Sequence, residues 1–122
     1  HGTVNLHLVN SKIIVIERIR YADGVPVAFE ISRLPERFDF LLNEDLNETS
    51  MFSIIAEKYD IVFMNPRKEL ELVYATYEMS RYLNIPLGHP ILSISGVSSD
   101  KEGVPSHRFK QFIVADKFKF IV

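Results

Sequence analysis

The feature that most constrains the fold is a pair of apolar-rich runs that flank an Asp-Gly turn in residues 13–35, IIVIERIRYADGVPVAFEISRLP. Asp-Gly between such runs is a strong β-hairpin signal, because glycine accepts the positive φ that a two-residue turn needs. Pro26 lies just after the turn, where a missing N–H costs little. The first strand is apolar on both faces near its start, so we expect a central or covered strand.

Two arginines of this first strand, Arg18 and Arg20, are two residues apart and therefore lie on the same face. One interpretation is a solvated pair of cations that bonds to Glu17 or Glu30. The other is a fork for an anion, because guanidinium groups offer planar donors that suit phosphate or carboxylate. The pattern alone favours the solvated pair.

Length and composition predict one folded domain, since 47% of the 122 residues are hydrophobic and 25% are charged. A net charge of −2 without a basic stripe argues against direct binding of nucleic acid. No apolar run is long enough for a membrane span, so no membrane contact is expected. Cysteine is absent, which removes disulfides and thiolate metal sites and fits a cytoplasmic protein.

The strongest helix signal covers residues 50–59, where Thr49 or Ser50 would cap the first turn. Apolar residues at i, i+3, i+4 and i+7 predict its buried face: Phe52, Ile55, Ala56 and Tyr59. Free amides at the N-terminus of this helix could hold an anion, although a capping role for Ser50 is the simpler interpretation.

The chain between this helix and a second hairpin predicts one strand and one short helix. Residues 61–75 alternate as a half-buried strand does, with Leu70, Leu72 and Tyr74 on one face and an interruption near Asn65-Pro66. Residues 76–83 fit a helix that ends at Asn84.

The second half of the chain echoes the first hairpin. Strands are expected near 91–98 and 104–114, and Gly103-Val104-Pro105 repeats Gly24-Val25-Pro26. A duplicated strand–hairpin unit with few helices predicts an α+β fold with one antiparallel sheet.

The sequence contains no nucleophile elbow, zinc-protease helix, P-loop or dinucleotide fingerprint. No cofactor is expected, and no metal site is predicted, because ligand spacing is missing from the four histidines, His1, His7, His89 and His107. Glu30 is the one acid in an otherwise apolar strand. It is either solvated, which the pattern favours, or a buried acceptor for ligand hydroxyl or amide groups.

Most of the chain resembles a known family. Residues 17–35, ERIRYADGVPVAFEISRLP, are similar to the signature of the UTRA domain, the effector-sensing domain of GntR/HutC-type bacterial transcription regulators. The similarity continues at TSMFSII (49–55), LNIPLGHP (83–90) and DKFKF (116–120). The resemblance implies a chorismate lyase-like fold over residues 4–122.

The resemblance also implies a regulatory function. UTRA domains bind small metabolites, often sugar phosphates, and dimerise through the sensing domain. Ligand binding is transmitted to an N-terminal winged helix-turn-helix domain. The expected partners are a small-molecule effector, a second copy in a homodimer, and DNA only through a domain that this sequence does not contain. The family usually has a further strand and helix-bearing segment before the part that matches Leu6, so the sequence is expected to begin short of the full domain.

Candidate ligand-binding residues follow from the resemblance. In members that sense sugar phosphates, an Arg-x-Arg pair that matches Arg18 and Arg20 contacts the phosphate, with help from a serine that matches Ser50. The position two residues on is usually tyrosine and here is Phe52, and the acid that contacts the sugar matches Glu30. The resemblance thus favours the anion fork over the solvated pair.

The second hairpin departs from the family pattern. Pro-x-Glu-Tyr is replaced by Pro105-Ser106-His107-Arg108, and Arg-Gly-Asp-Arg-Tyr is replaced by residues 114–118. The missing hydroxyls at Phe52 and Phe118, and the missing arginine at Val114, predict a less polar pocket wall.

The leading hypothesis is a regulatory domain without enzymatic activity. The alternatives are a chorismate lyase-like enzyme for an aromatic carboxylate and a module that only dimerises.

Overall fold

The computed structural model describes residues 2–9, 13–46, 51–114 and 116, and for residues 2–9, 65 and 66 it describes the backbone alone. Within these ranges the strands are β1 (Gly2–Val9), β2 (Ile13–Ala22), β3 (Val25–Pro35), β4 (Met64–Tyr74), β5 (Pro90–Ser99) and β6 (Pro105–Ile113). The helices are a 3-10 helix (Glu36–Asn43), α1 (Met51–Tyr59) and α2 (Tyr77–Leu83). The predicted α+β class is confirmed.

The strands form one antiparallel sheet in the order β1-β2-β3-β6-β5-β4. Both predicted hairpins are present, and β2 lies inside the sheet as its apolar pattern predicted. Asp23 and Gly24 form the first turn with φ of 51° and 77°, the left-handed conformation that a tight hairpin requires. The two hairpins meet where β3 pairs with β6, so the strand order is symmetric about that pair, as expected for a duplicated unit.

Helices cover parts of both faces of the sheet. The 3-10 helix and α1 pack over the first core cluster, whose buried residues include Ile14, Ile16, Leu34, Phe38, Leu41 and Ile55. On the opposite face lies the second core cluster, with Phe29, Ala75, Leu83, Ile91, Phe112 and Val114. Alternation along β2 and β3 explains the division, because successive side chains point to opposite faces.

The buried face predicted for α1 is partly wrong. Ile55 is buried as expected, but the helix turns Met51 and Ile54 toward the core, whereas Ala56 and Tyr59 are exposed and Phe52 is 46% exposed. These buried residues lie at i, i+3 and i+4 and form a narrow apolar stripe, which is enough to pack a nine-residue helix against a sheet. Phe52 lies instead at the rim of the helix, edge-on to the ring of Phe63.

The apolar face predicted for β4 is not covered by the described part of the chain. Leu70, Leu72 and Tyr74 are each more than 60% exposed, because β4 is an edge strand and the helices lie over other parts of the sheet. The predicted interruption appears as a shift of register between Met64 and Arg67. The helix expected at 76–83 is α2, which ends at Asn84 in a left-handed conformation.

Some expectations fall outside the described residues, namely the capping role of Thr49 or Ser50 and the closing alternation of Phe118 and Phe120. Among the described helices, none has the length and apolar character that crossing a membrane would require.

Gly96 of β5 allows a close approach between strands. A Cβ atom built at this position would lie 2.5 Å from ring carbons of Phe109 and 2.6 Å from the carbonyl oxygen of Arg67. Any side chain here would therefore displace the Phe109 ring or the backbone of β4. The glycine fixes the place where the Phe109 ring lies on the sheet.

We expect Gly96→Ala to lower the free energy of unfolding by about 1–3 kcal/mol, because the added methyl group overpacks the contact with Phe109. Urea denaturation followed by circular dichroism measures the change. Ser95→Ala, one residue away on the same strand, is the control and should change stability by less than about 0.5 kcal/mol. Equal stability of Gly96→Ala and the wild type would contradict the close packing.

Candidate functional site

A pocket of about 310 Å³ opens on the sheet face that carries the first core cluster. Strands β2 to β6 and the start of α1 contribute to its walls, with Ser98 as the contribution of β5. One side is polar and is formed by Arg18, Arg20, Glu30 and Gln111. The other side is mainly apolar and is formed by Ile16, Met51, Phe52, His107 and Phe109.

The register of the sheet brings the polar side together. Arg18 of β2 is directly opposite Glu30 of β3, and Glu30 is directly opposite Gln111 of β6. Directly opposed residues share a face, and Arg20 shares it by alternation. Three strands from two hairpins therefore place their functional groups in one row.

Both carboxylate oxygens of Glu30 accept hydrogen bonds from neighbouring side chains. Arg20 Nε donates to Oε1 at 2.9 Å, and Gln111 Nε2 donates to Oε2. Because the Arg20 side chain is 47% exposed, this ion pair contributes little to stability and mainly orients the guanidinium group. Glu30 is thus a half-buried acceptor that positions Arg20.

Arg18 is the more buried of the two arginines, and its Nη2 donates to the carbonyl oxygen of Leu46 at 2.7 Å. Burial lowers the pKa of Arg18 from its usual value, the positive charge of Arg20 lowers it further, and the carboxylate of Glu30 opposes both effects. The guanidinium group remains charged because the usual pKa is so high. Four basic residues, Arg18, Arg20, Lys68 and Lys110, line the pocket, and Glu30 is the one acid among its described lining residues, so the site favours an anion.

His107 lies at the opposite, aromatic end of the pocket. Its ring centroid is 5.1 Å from that of Phe52, 5.6 Å from that of Phe63 and 5.6 Å from that of Phe109. The side chain is only 2% exposed, and neither ring nitrogen has a hydrogen-bond partner among the residues that the structure describes. Burial lowers the pKa of His107 to about 4, so the imidazole is neutral at pH 7.

Four of the five predicted site residues line the pocket together: Arg18, Arg20, Glu30 and Phe52. The fifth, Ser50, lies outside the described residues. Both interpretations of the arginines find support, because Arg20 pairs with Glu30 as the solvated interpretation expected, yet both cations face a cavity.

Sequence reasoning missed His107, Lys68 and Gln111 as pocket residues. Only the order and register of the strands bring Lys68 and Gln111 to the pocket. The sequence analysis considered His107 only as a possible metal ligand. The departure from the family pattern at residues 105–108 was the one signal that could have marked it as a pocket residue. In the part of the chain that the structure describes, no group of three histidine or acidic side chains could hold a metal ion.

We expect the protein to lose stability in mild acid because of His107. The unfolded state takes up a proton near pH 6.5, whereas the folded state does so only near pH 4, so stability is fully present above pH 6.5 and falls as the pH is lowered to about 4. The loss contributed by this residue is on the order of 3 kcal/mol. Urea denaturation at several pH values measures it.

His107→Gln and His107→Phe both remove the titrating group, so both should flatten the pH dependence between about pH 6.5 and 5. Glutamine retains a polar side chain, and phenylalanine retains a planar ring. The same slope in the wild type and in both variants would assign the acid sensitivity to other groups.

Comparisons with known proteins agree with this architecture. The family model of the UTRA domain matches residues 4–119. The HTH-type transcriptional repressor NagR of Bacillus subtilis is 30% identical over 111 residues, which are 91% of this chain and 46% of the repressor. The chain thus spans about half the length of the curated relatives that it matches.

Two solved structures share the fold. A GntR-family transcriptional regulator from Enterococcus faecalis has a TM-score of 0.78 at 22% identity, with 100% of this chain and 95% of that chain covered. The effector domain of PhnF from Mycobacterium smegmatis has a TM-score of 0.81 at 19% identity, with 99% and 81% covered.

The resemblance read from the sequence, the match over nearly the whole chain and the shared fold lead to one assignment. The chain belongs to the UTRA domain family, the effector-binding domains of GntR-family transcriptional regulators.

Proposed function

We propose that the domain senses an anionic metabolite, such as a sugar phosphate, whose charged group binds to Arg18 and Arg20. The observation that carries this proposal is the pair of guanidinium groups on one face of β2, which line a pocket whose described residues include a single carboxylate, that of Glu30. The guanidinium groups offer several N–H donors, which match the oxygen atoms of a phosphate group. A pocket of about 310 Å³ has the size of a small-molecule site.

The same geometry supports a sensor rather than an enzyme. General acid–base chemistry needs titratable groups that can exchange protons with the substrate. Among the described residues that line the pocket, Glu30 is the only acid, and both of its oxygens already accept hydrogen bonds. His107 is a neutral imidazole enclosed by rings. The proposal therefore assigns the pocket to binding and not to turnover.

Arg18 links the pocket to the chain segment that follows the 3-10 helix, because the same guanidinium group donates to the carbonyl of Leu46. An anion that binds Arg18 would change the strength of this bond and the position of the segment. A ligand regulates a protein only if it binds two states with different affinity, and the Arg18–Leu46 contact offers such a difference. In the whole regulator, a DNA-binding domain in the bacterial cytoplasm would read the change.

We further propose that the domain forms a homodimer through an exposed apolar surface on the edge of the sheet. This β4 patch consists of Leu70, Leu72 and Tyr74 together with their neighbours Leu92 and Ile94 on β5. The patch combines three exposed and two half-buried apolar side chains with a strand edge that pairs with no other described strand, and both features favour contact with another chain.

We expect Arg18→Ala to weaken phosphate-dependent ligand binding by roughly tenfold to a hundredfold, because it removes a charged hydrogen-bond donor from the pocket. A thermal-shift screen against sugar phosphates, with the unphosphorylated sugars alongside, measures binding, since a ligand that binds only the folded state raises the melting temperature.

Arg33→Ala is the matched control for that experiment. Arg33 is an exposed arginine on β3 whose position in the strand places it on the opposite face from Glu30. Its removal takes away the same charge and should leave the shift intact. Equal shifts in the wild type and Arg18→Ala would refute the role of Arg18 in binding.

We expect Leu72→Glu to shift the domain from dimer to monomer, because a carboxylate in a closed apolar interface is costly to desolvate. Sedimentation velocity at several protein concentrations reads the change. Leu87→Glu places the same charge at another exposed leucine, outside the β4 patch, and should leave the dimer unchanged. A monomeric wild type, or a dimer that survives Leu72→Glu, counts against this surface.

A further inference from the structure

The aromatic end of the pocket contains a polar group without a partner. The nitrogens Nδ1 and Nε2 of His107 are both buried and make no hydrogen bond within the described residues. Leaving such atoms unpaired is unfavourable, so buried polar groups in proteins almost always find a partner. A group supplied by the ligand would satisfy one of these nitrogens.

The ring of Phe52 controls access to this histidine. It meets the imidazole edge-on at 5.1 Å between ring centroids, yet it is nearly half exposed and lies in the first turn of α1. Exposed side chains change rotamer easily, whereas Phe109 on the other side is held in place by its contact with Gly96. A ligand that moves Phe52 aside would reach the imidazole without disturbing the sheet.

The two ends of the pocket differ in chemistry and are therefore suited to bind different parts of a ligand. The polar end has an excess of positive charge, whereas Phe52 and Phe109 offer ring faces and edges at the other end. Glu30 is the acceptor best suited to bind sugar hydroxyls, but each of its oxygens already accepts one hydrogen bond, from Arg20 or from Gln111. A polyhydroxylated body would therefore share this carboxylate with both donors, which reduces the gain that offsets its loss of water.

We propose that the effector carries a flat, largely apolar body next to its anionic group, and that this body lies between Phe52 and Phe109 with a hydrogen-bonding group directed at His107. The proposal rests on the proposed function, since it takes for granted that the anion binds Arg18 and Arg20. It adds the chemical class of the effector and makes His107 a specificity-determining residue.

Four simple phosphates test the proposal by isothermal titration with this domain: inorganic phosphate, glucose 6-phosphate, phenyl phosphate and 4-nitrophenyl phosphate. Phenyl phosphate should bind at least tenfold more tightly than glucose 6-phosphate and inorganic phosphate, because its ring can stack in the aromatic end. The nitro group adds a hydrogen-bond acceptor at the far end of the ring, so 4-nitrophenyl phosphate should bind roughly fivefold more tightly than phenyl phosphate.

The outcomes separate this inference from the proposed function. If glucose 6-phosphate binds as tightly as phenyl phosphate or more tightly, and Arg18→Ala weakens its binding, the flat apolar body is refuted and the anion sensor stands. If no phosphate binds, or if binding does not depend on Arg18, both proposals fail.

Two variants test the role of His107. His107→Phe keeps a ring in the cluster and should abolish the advantage of 4-nitrophenyl phosphate over phenyl phosphate, whereas His107→Gln can still donate a hydrogen bond and should retain part of it. An unchanged ratio of the two affinities in His107→Phe overturns the assignment.

A spectroscopic measurement on the wild type covers the case in which these variants fold poorly. The imidazole nitrogens of His107 give nitrogen-15 signals that report hydrogen bonding. Saturation with 4-nitrophenyl phosphate should shift one of them relative to saturation with phenyl phosphate. Identical His107 signals in the two complexes would show that the ligand does not reach the imidazole.

Discussion

The pairing of β3 with β6 is the constraint on which the rest of the structure depends. These strands belong to hairpins that are far apart in the sequence, and their pairing turns two local hairpins into one sheet. The register aligns Glu30 with Gln111 and Ser32 with Phe109. A shift of one residue would turn these side chains to the opposite face, so the pocket exists only in this register.

The pocket combines two environments that the two hairpins supply separately. The first hairpin provides Arg18, Arg20 and Glu30, which set the charge and orient one another. The second hairpin provides His107 and Phe109, which form an aromatic surface. A site of this kind can recognise a ligand by its charge at one end and by its shape at the other. The two copies of the hairpin therefore differ in chemistry: the first supplies charged groups to the pocket, and the second supplies aromatic rings.

Much of the fold could be predicted because its signals are local. Asp23-Gly24 marks the first turn, alternation marks the strands, and Asn84 marks the end of α2, and each of these depends only on near neighbours in the chain. The errors concern burial. Phe52 and Leu72 were assigned to buried faces because of their spacing, yet the first lies at the rim of α1 and the second on an edge strand that no described part of the chain covers. Spacing shows which residues share a face but not what covers that face.

The sequence by itself determined the hairpins, the α+β class, the placement of Arg18 and Arg20 on one face and, through the family resemblance, the residues to expect in a ligand site. Those features depend on backbone preferences and on the two-residue period of a strand. Only the tertiary structure decided that Gln111 would engage Glu30 beside Arg20, and that His107 would lie among three aromatic rings with no partner among the described residues. Such contacts join residues that are remote in the chain, and their partners follow from strand order and register, which the local pattern does not encode.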